Sequence, residues 1–332
     1  MKIIFQTSDN HVWNWQEVCN NVTQAMIANE DIEMSANSEG PCIQASGIEQ
    51  YLLKSCKIYN YDPAKIKIVT KNQIEQHDQF KIEIEKFGDY FVEEKLNVVI
   101  DKTKMHKHFG IFVMKSNAPR LDMSSYLYKN YKHSTTMTYH YDSKSNIHRN
   151  AIGMEELIQD HQHKDIVTVA DFIAQCPIKN TEYNLDEKTD FSSQLLAQDR
   201  NQFLSNYNNF FVEIVCETYY SGRTFLPSEK TWRPVRLLTP FIVHGPANYL
   251  QHIRDMGFKT FDGWWNEGYS ECDPIWQLKL IKEIVDDIAT WSMDKCQQVY
   301  EEMQPVLHHN KKHLEQTRGD CWRLQETWHE TK

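Results

Sequence analysis

Two apolar runs separated by one polar stretch constrain this chain more than any other feature. Phe211–Cys216 (FVEIVC) and Pro240–His244 (PFIVH) are short and almost continuously apolar. Runs of that length and character predict strands buried on both faces, as in a parallel sheet. Between them, residues 217–239 read as a polar loop and a short helix. In doubly wound sheets, ligands sit outside the carboxyl ends of the strands. Glu217, Arg223, Ser228, Glu229 and Lys230 all fall there if FVEIVC is a strand.

The residue types suit a phosphorylated ligand. Ser228 is a favourable N-cap, and the backbone N–H groups of the turn after it point toward any bound anion. Lys230 and Arg223 would neutralise a diphosphate, and the Glu229 carboxylate suits ribose hydroxyls. Pro234 removes a helical hydrogen bond and predicts a short or kinked helix. The plain alternative is that an acidic residue in a first turn is favoured by the helix dipole alone. The cluster outweighs its members, because an unspecialised connection between two core strands would be shorter.

The rest of the chain predicts two α/β domains, the expectation for 332 residues. Lys2–Thr7 reads as a first strand, Trp15–Ala28 and Ile48–Cys56 as helices, and Ile66–Val69 and Val98–Ile100 as buried strands. These make a small doubly wound unit. A second unit opens on the strand Phe109–Met114, with a loop at Asn117–Arg120, a helix at Leu121–Tyr131 and a strand at Thr135–Tyr141. Lys179–Asp190 reads as a surface loop. Trp276–Trp291 is an amphipathic helix, and a polar terminal helix from Gln297 is expected to pack outward. The expected boundaries are 1–105, 106–290 and a helical extension, 291–332.

Eight scattered cysteines without a CxxC pair read as reduced thiols. No apolar run reaches the roughly 18 residues of a membrane span. The N-terminus reads as a strand and not as a signal peptide. Cytoplasmic residence is therefore expected. The formal net charge of −10 suits a small-molecule or glycan partner better than a nucleic acid. Two local clusters point the other way, Lys102 to His108 and Tyr128 to His133. Basic residues interleaved with aromatics suit a phosphate track with stacked bases, although each is also what a solvated loop or helix face looks like.

The segment Phe210–Gly245 resembles the donor-binding signature of fucosyltransferase-like enzymes of the GT-B architecture, with two Rossmann-like domains facing a cleft. The corresponding residues are Glu217-Thr218, then Glu229-Lys230, then Gly245. The resemblance implies that Glu229 binds the nucleotide ribose and Lys230 the diphosphate. Thr218 replaces the usual Asn, and Arg233–Val235 lies where small helical residues are usual. Phe109–Leu127 is similar to the opening of the same donor domain, where a Ser-Asn loop precedes an Arg on the diphosphate; Ser116, Asn117 and Arg120 occupy those positions, which implies that Arg120 touches the diphosphate. Met256–Glu271 resembles a stretch of phage glycosyltransferases. There Gly257 fits a helix C-cap followed by a short strand, and Trp264-Trp265 could stack on a ring or fill a core. The implied reaction is transfer from a nucleotide-sugar, UDP-sugar favoured. The acceptor is a hydroxyl, with 5-hydroxymethylcytosine in double-stranded phage DNA (arabinosyl or glucosyl transfer) and a glycan as alternatives.

Such a transfer needs cations at the departing diphosphate, for which Lys230, Arg120 and Arg223 are candidates. An inverting enzyme also needs a general base. Asp9 is the candidate because it follows the first strand, with a helix-capping Asp as its rival and Glu93, Glu94 and Asp101 as substitutes. No cofactor beyond the sugar nucleotide is required by these motifs, and no metal site is assigned. His308, His309 and His313 are weak zinc evidence without a fixed Cys or carboxylate partner. The competing class is a non-catalytic nucleotide- or nucleic-acid-binding protein on the same fold.

Overall fold

A computed structural model describes residues 1–8, 11–12, 14–36, 42–85, 99–139, 143–159, 166–178, 203–222 and 224–329. The protein is mixed α/β, with two four-stranded parallel sheets and a two-stranded ribbon. It divides into two compact units. The first comprises Met1–Asp89, Thr218–Ser228 and Gly245–Tyr249; the second comprises Tyr90–Glu217, Glu229–His244 and Leu250–Lys332. No helix among the described residues is long and apolar enough to cross a membrane.

In the first unit, β1 (Lys2–Phe5) pairs with β4 (Ile32–Ala36), which pairs with β5 (Ile66–Thr70) and then β6 (Lys81–Ile84). The ribbon is β2 (Thr7–Ser8) with β3 (His11–Val12). Helix α1 (Trp15–Ala28) links β1 to β4, and α2 (Ile48–Tyr59) links β4 to β5. Val18, Val22 and Met26 of α1 and Ile48, Leu52 and Cys56 of α2 meet Ile3, Phe5, Ile32, Met34, Ile66 and Ile68 in one core. Both helices lie on the same face because right-handed crossovers that advance in one direction always do. The opposite face carries a charge ladder, Lys2–Glu33–Lys67–Glu83, with ion pairs of 3.6, 3.2 and 2.6 Å. The strand order among described residues therefore advances without reversing.

Residues 218–228 and 245–249 belong to this unit, although sequence order alone assigns them to the later domain. The reason is a buried polar network. The Cys42 N–H donates to Thr224 Oγ1 at 2.6 Å and the Phe225 N–H to Asn72 Oδ1 at 2.9 Å. Glu75 Oε2 accepts from Asn72 Nδ2 and from the Ile43 N–H. The Phe225 ring meets Tyr249 edge-on at 5.1 Å.

In the second unit the sheet order is β10 (Phe241–His244), β9 (Phe210–Cys216), β7 (Lys107–Val113), β8 (Thr135–Tyr139). From β7 the chain crosses through α3 (Ala118–Tyr131) to β8 on one side. It returns past α4 (Ser143–Gln159) and α5 (Ile166–Ala174) to β9 on the other side, then passes α6 (Glu229–Arg236) to reach β10. The strand order thus reverses between β7 and β9. The helices cover both faces: α3 packs with α4, α5 and α8 (Pro274–Ala289), and α6 with α9 (Met293–His329). Helix α7 (Tyr249–Asp255) follows β10. Gly110 sits mid-strand because the Phe210 ring lies against it; a Cβ there would come within 2.5 Å of that ring.

Several expectations need correcting. Residues 99 and 100 form no strand, and Val99 is 85% exposed. The strands missed were the two-residue β3 and the strands β4 and β6, the latter two alternating apolar and polar residues as in a sheet with one open face. Helix α3 starts at Ala118, not Leu121, because Asn117 caps it by accepting from the Arg120 N–H at 3.0 Å and Pro119 fits its first turn. Residues 258–260 are not a strand, although Gly257 does end α7, with φ +93°. Helix α9 does not pack outward: Cys296, Val299, Met303, Leu307 and Leu314 are buried along one side. Lys179–Asp190 lies outside the described residues.

Candidate functional site

The strand order of this sheet reverses between β7 and β9, and open α/β sheets bind ligands beside the carboxyl ends of strands flanking such a reversal. Four of the expected residues meet there in the second unit. Arg120 is buried; its Nε donates to the Cys216 carbonyl at 3.0 Å and its Nη1 to the Lys115 carbonyl at 2.9 Å. It ties the exit of β7 to the end of β9. Asn117 Nδ2 reaches the Glu217 carbonyl at 3.4 Å. Glu217 is buried and accepts from Thr231 Oγ1 of α6 at 2.7 Å. Ser116 Oγ bonds the Tyr139 hydroxyl at 2.7 Å. Thr231, which sequence reasoning missed, locks the helix to the strand end; its place in the first turn of α6 was the available signal.

Helix α6 opens with Glu229 and Lys230, and Lys230 Nζ donates to Glu229 Oε1 at 2.8 Å. Burial pushes the Glu229 carboxyl up, but the Lys230 ammonium and the Arg233 guanidinium outweigh it and hold it at about 2. Glu229 is therefore an anion at neutral pH, able only to accept hydrogen bonds. The helix ends after eight residues, with Leu238 left-handed at φ +49°, as Pro234 predicts.

Ser228 stands immediately before α6 and is buried, within the first unit. Gly245 also belongs to that unit, and its lack of a side chain has a steric cause: a Cβ would come within 2.6 Å of the Tyr249 ring. Asp9, Arg223, Glu93 and Glu94 lie outside the described residues. Among the described residues β1 is an edge strand with no reversal beside it, so Asp9 does not follow a switch-point strand. Asp101 caps a short turn by accepting from the Thr103 N–H at 3.1 Å, a local structural use.

The other candidates have structural uses. Lys102 and His108 are buried, and His108 Nε2 donates to the Trp291 carbonyl at 2.8 Å. In the second basic cluster, Lys132 sits over the Tyr128 ring, Lys129 donates to Thr168 Oγ1, and the Tyr131 hydroxyl donates to Asp286. His309 and His313 donate to the carbonyls of Gly257 and Met256 at 3.0 and 2.7 Å, closing the end of α7. Trp265 is buried against Phe261. Among the described residues, no three His, Cys, Asp or Glu side chains are grouped to hold a metal.

His244, at the end of β10, is fully buried and donates from Nε2 to the Pro274 carbonyl at 2.9 Å. Burial pushes its pKa down to about 4. The unfolded chain therefore binds the extra proton between the ordinary value of 6.5 and about 4. This contribution to stability is complete above the upper value and is lost as pH falls through the window, by at most about 1.4 kcal/mol per pH unit. Urea melts at stepped pH should show that His244→Gln lacks this acid-side loss.

The chain is an α/β protein whose second sheet reverses its strand order between β7 and β9, with the helix start Glu229-Lys230 following β9. No protein-family model, curated protein or solved structure matches the chain.

Proposed function

We propose that this protein is a glycosyltransferase of the GT-B type that uses a nucleotide-sugar, a UDP-sugar in the first instance. The observation that carries the reading is the Glu229-Lys230 pair opening α6, the helix that follows β9 at the strand-order reversal. In this proposal the anionic Glu229 accepts hydrogen bonds from the ribose hydroxyls. Lys230 exchanges its bond to Glu229 for the donor's diphosphate and stabilises the charge that develops on it as the glycosidic bond breaks. The buried Arg120 guanidinium adds positive potential from behind while it holds the carbonyls of Cys216 and Lys115. If configuration inverts, a general base must take the acceptor proton. The acceptor is a hydroxyl, with 5-hydroxymethylcytosine in DNA and a glycan as the two chemistries to assay.

Lys230→Ala should lower transfer roughly 100-fold, the scale for losing one charge-stabilising group. The assay uses a panel of UDP- and GDP-sugars with hydroxymethylated DNA and oligosaccharide acceptors, read by mass spectrometry. Absence of turnover by the unaltered protein with every pair, alongside measurable nucleotide binding, would favour the non-catalytic binding reading instead.

A further inference from the structure

The first unit holds a groove of about 600 Å³ lined by Val12, Trp15, Ala45, Gly47, Tyr51 and Lys54, with Ser46 and Gln50 at its polar edge. That volume lies within the range of small-ligand sites, roughly 300–1,000 Å³. The groove runs between the start of α1 and the first turns of α2. Trp15 is 36% exposed and meets Tyr51 edge-on, with ring centroids 5.4 Å apart. Tyr51 is fixed in place, since its hydroxyl donates to the Cys19 carbonyl at 2.9 Å. One fixed ring thus backs a second, partly exposed indole, an aromatic surface of the kind on which a base stacks. Gly47 is left-handed, with φ +78°, and nothing lies within 4 Å of where its Cβ would be.

The charge of the lining selects the ligand. In a chain of net charge −10, the only charged side chain among the described residues lining the groove is a cation, Lys54. An exposed aromatic platform, a neutral amide and hydroxyl edge, and a single ammonium suit a ring that carries an anion. A neutral sugar would offer Lys54 no counter-charge, and a cationic ligand would be repelled.

We infer that this groove is a nucleotide site, taking a heterocyclic base against Trp15, the base edge toward Gln50 and Ser46, and the phosphate at Lys54. A site of this kind accepts one nucleotide of a single strand, or one extruded from a duplex, because stacking on an aromatic face tolerates any base. Such a groove would serve a sugar-transferring enzyme and a purely nucleic-acid-binding protein equally well.

The test is fluorescence anisotropy of the full chain with a labelled single-stranded DNA oligonucleotide, competed with free dCMP. Trp15→Ala should weaken binding roughly 5- to 150-fold, the range for losing one stacking platform. Lys54→Gln should weaken it and lower the salt slope by about one. Both positions are solvent-accessible, and Lys54→Gln keeps α2 intact should the Trp15 change disturb α1. Binding of a UDP-sugar should be unaltered in both variants, which separates this site from the one at Lys230. Equal oligonucleotide binding by both variants and the unaltered protein would overturn the assignment. So would no binding by the unaltered protein, or a Trp15-dependent affinity for a neutral oligosaccharide in place of the nucleotide.

Discussion

Replacing Arg233 with leucine is expected to lower stability by about 3–5 kcal/mol, the cost of removing one partner of a buried ion pair. Arg233 reaches from α6 onto β9, where Nη2 donates to Glu213 and Nε to the Tyr207 hydroxyl. The Tyr207 hydroxyl in turn donates to Glu213 Oε2 at 2.6 Å. Glu213 is 1% exposed in the middle of a strand, and its carboxylate takes its hydrogen bonds from Arg233 and Tyr207. Burial already pushes its carboxyl up, with Arg233 pulling it back. Without Arg233 the carboxyl must take a proton or stay buried and charged, and both are costly. The guanidinium also lies over the rings of Phe112 and Phe203 at 5.3 and 5.6 Å. Leucine has no charge to offer those ring faces, so that attraction disappears as well. Urea denaturation read by circular dichroism measures the effect. The double substitution Glu213→Leu with Arg233→Leu should recover a large part of it, because the charge left stranded by the single change is gone. If the double variant were as unstable as the sum of the two single ones, the pair would not be what holds α6 to the sheet.

The second large effect is a rise in stability with pH above neutrality. Lys102 is buried, with Nζ donating to the carbonyls of Tyr207 and Phe210 at 2.6 Å each, over the rings of Phe210 and Tyr300. Burial pushes its pKa down to about 7, against the pull of Glu213. Between about 7 and the ordinary 10.5 the unfolded chain holds a proton that the folded chain has released. Stability therefore climbs with pH in that window, by at most about 1.4 kcal/mol per pH unit. Below it the group contributes no slope. Measurements at pH from about 7 to 9 isolate it, because above that the buried Cys216 thiol, pushed up to about 12, begins to act with the opposite sign. Lys102→Met should be flat over the same range. An equal slope in that variant would place the titration elsewhere.

Both effects arise in one cluster that the sequence does not announce. Glu213 is a single charge inside FVEIVC, and Lys102 sits in what reads as a basic, solvated patch. Residues from four separate stretches have to meet before their roles exist. Arg233 was legible only as a departure from a donor motif, and its partner explains the departure.

The elements readable from the chain alone are those whose residues repeat at a recognisable period. Helix α1 and strands β5, β9 and β10 follow from apolar spacing, and the short α6 follows from Pro234, because these depend on neighbours within a turn or a strand. The same local reading finds Glu229 and Lys230 opening a helix just beyond a core strand. Which strands lie side by side is a property of the tertiary arrangement. That order sets where the sheet reverses and which strand ends flank the reversal, and it rests on long-range pairing that no local pattern encodes. Long-range packing likewise buries Arg120 under backbone carbonyls, turns the two basic clusters to structural use, and brings Trp15, Tyr51 and Lys54 to a single groove.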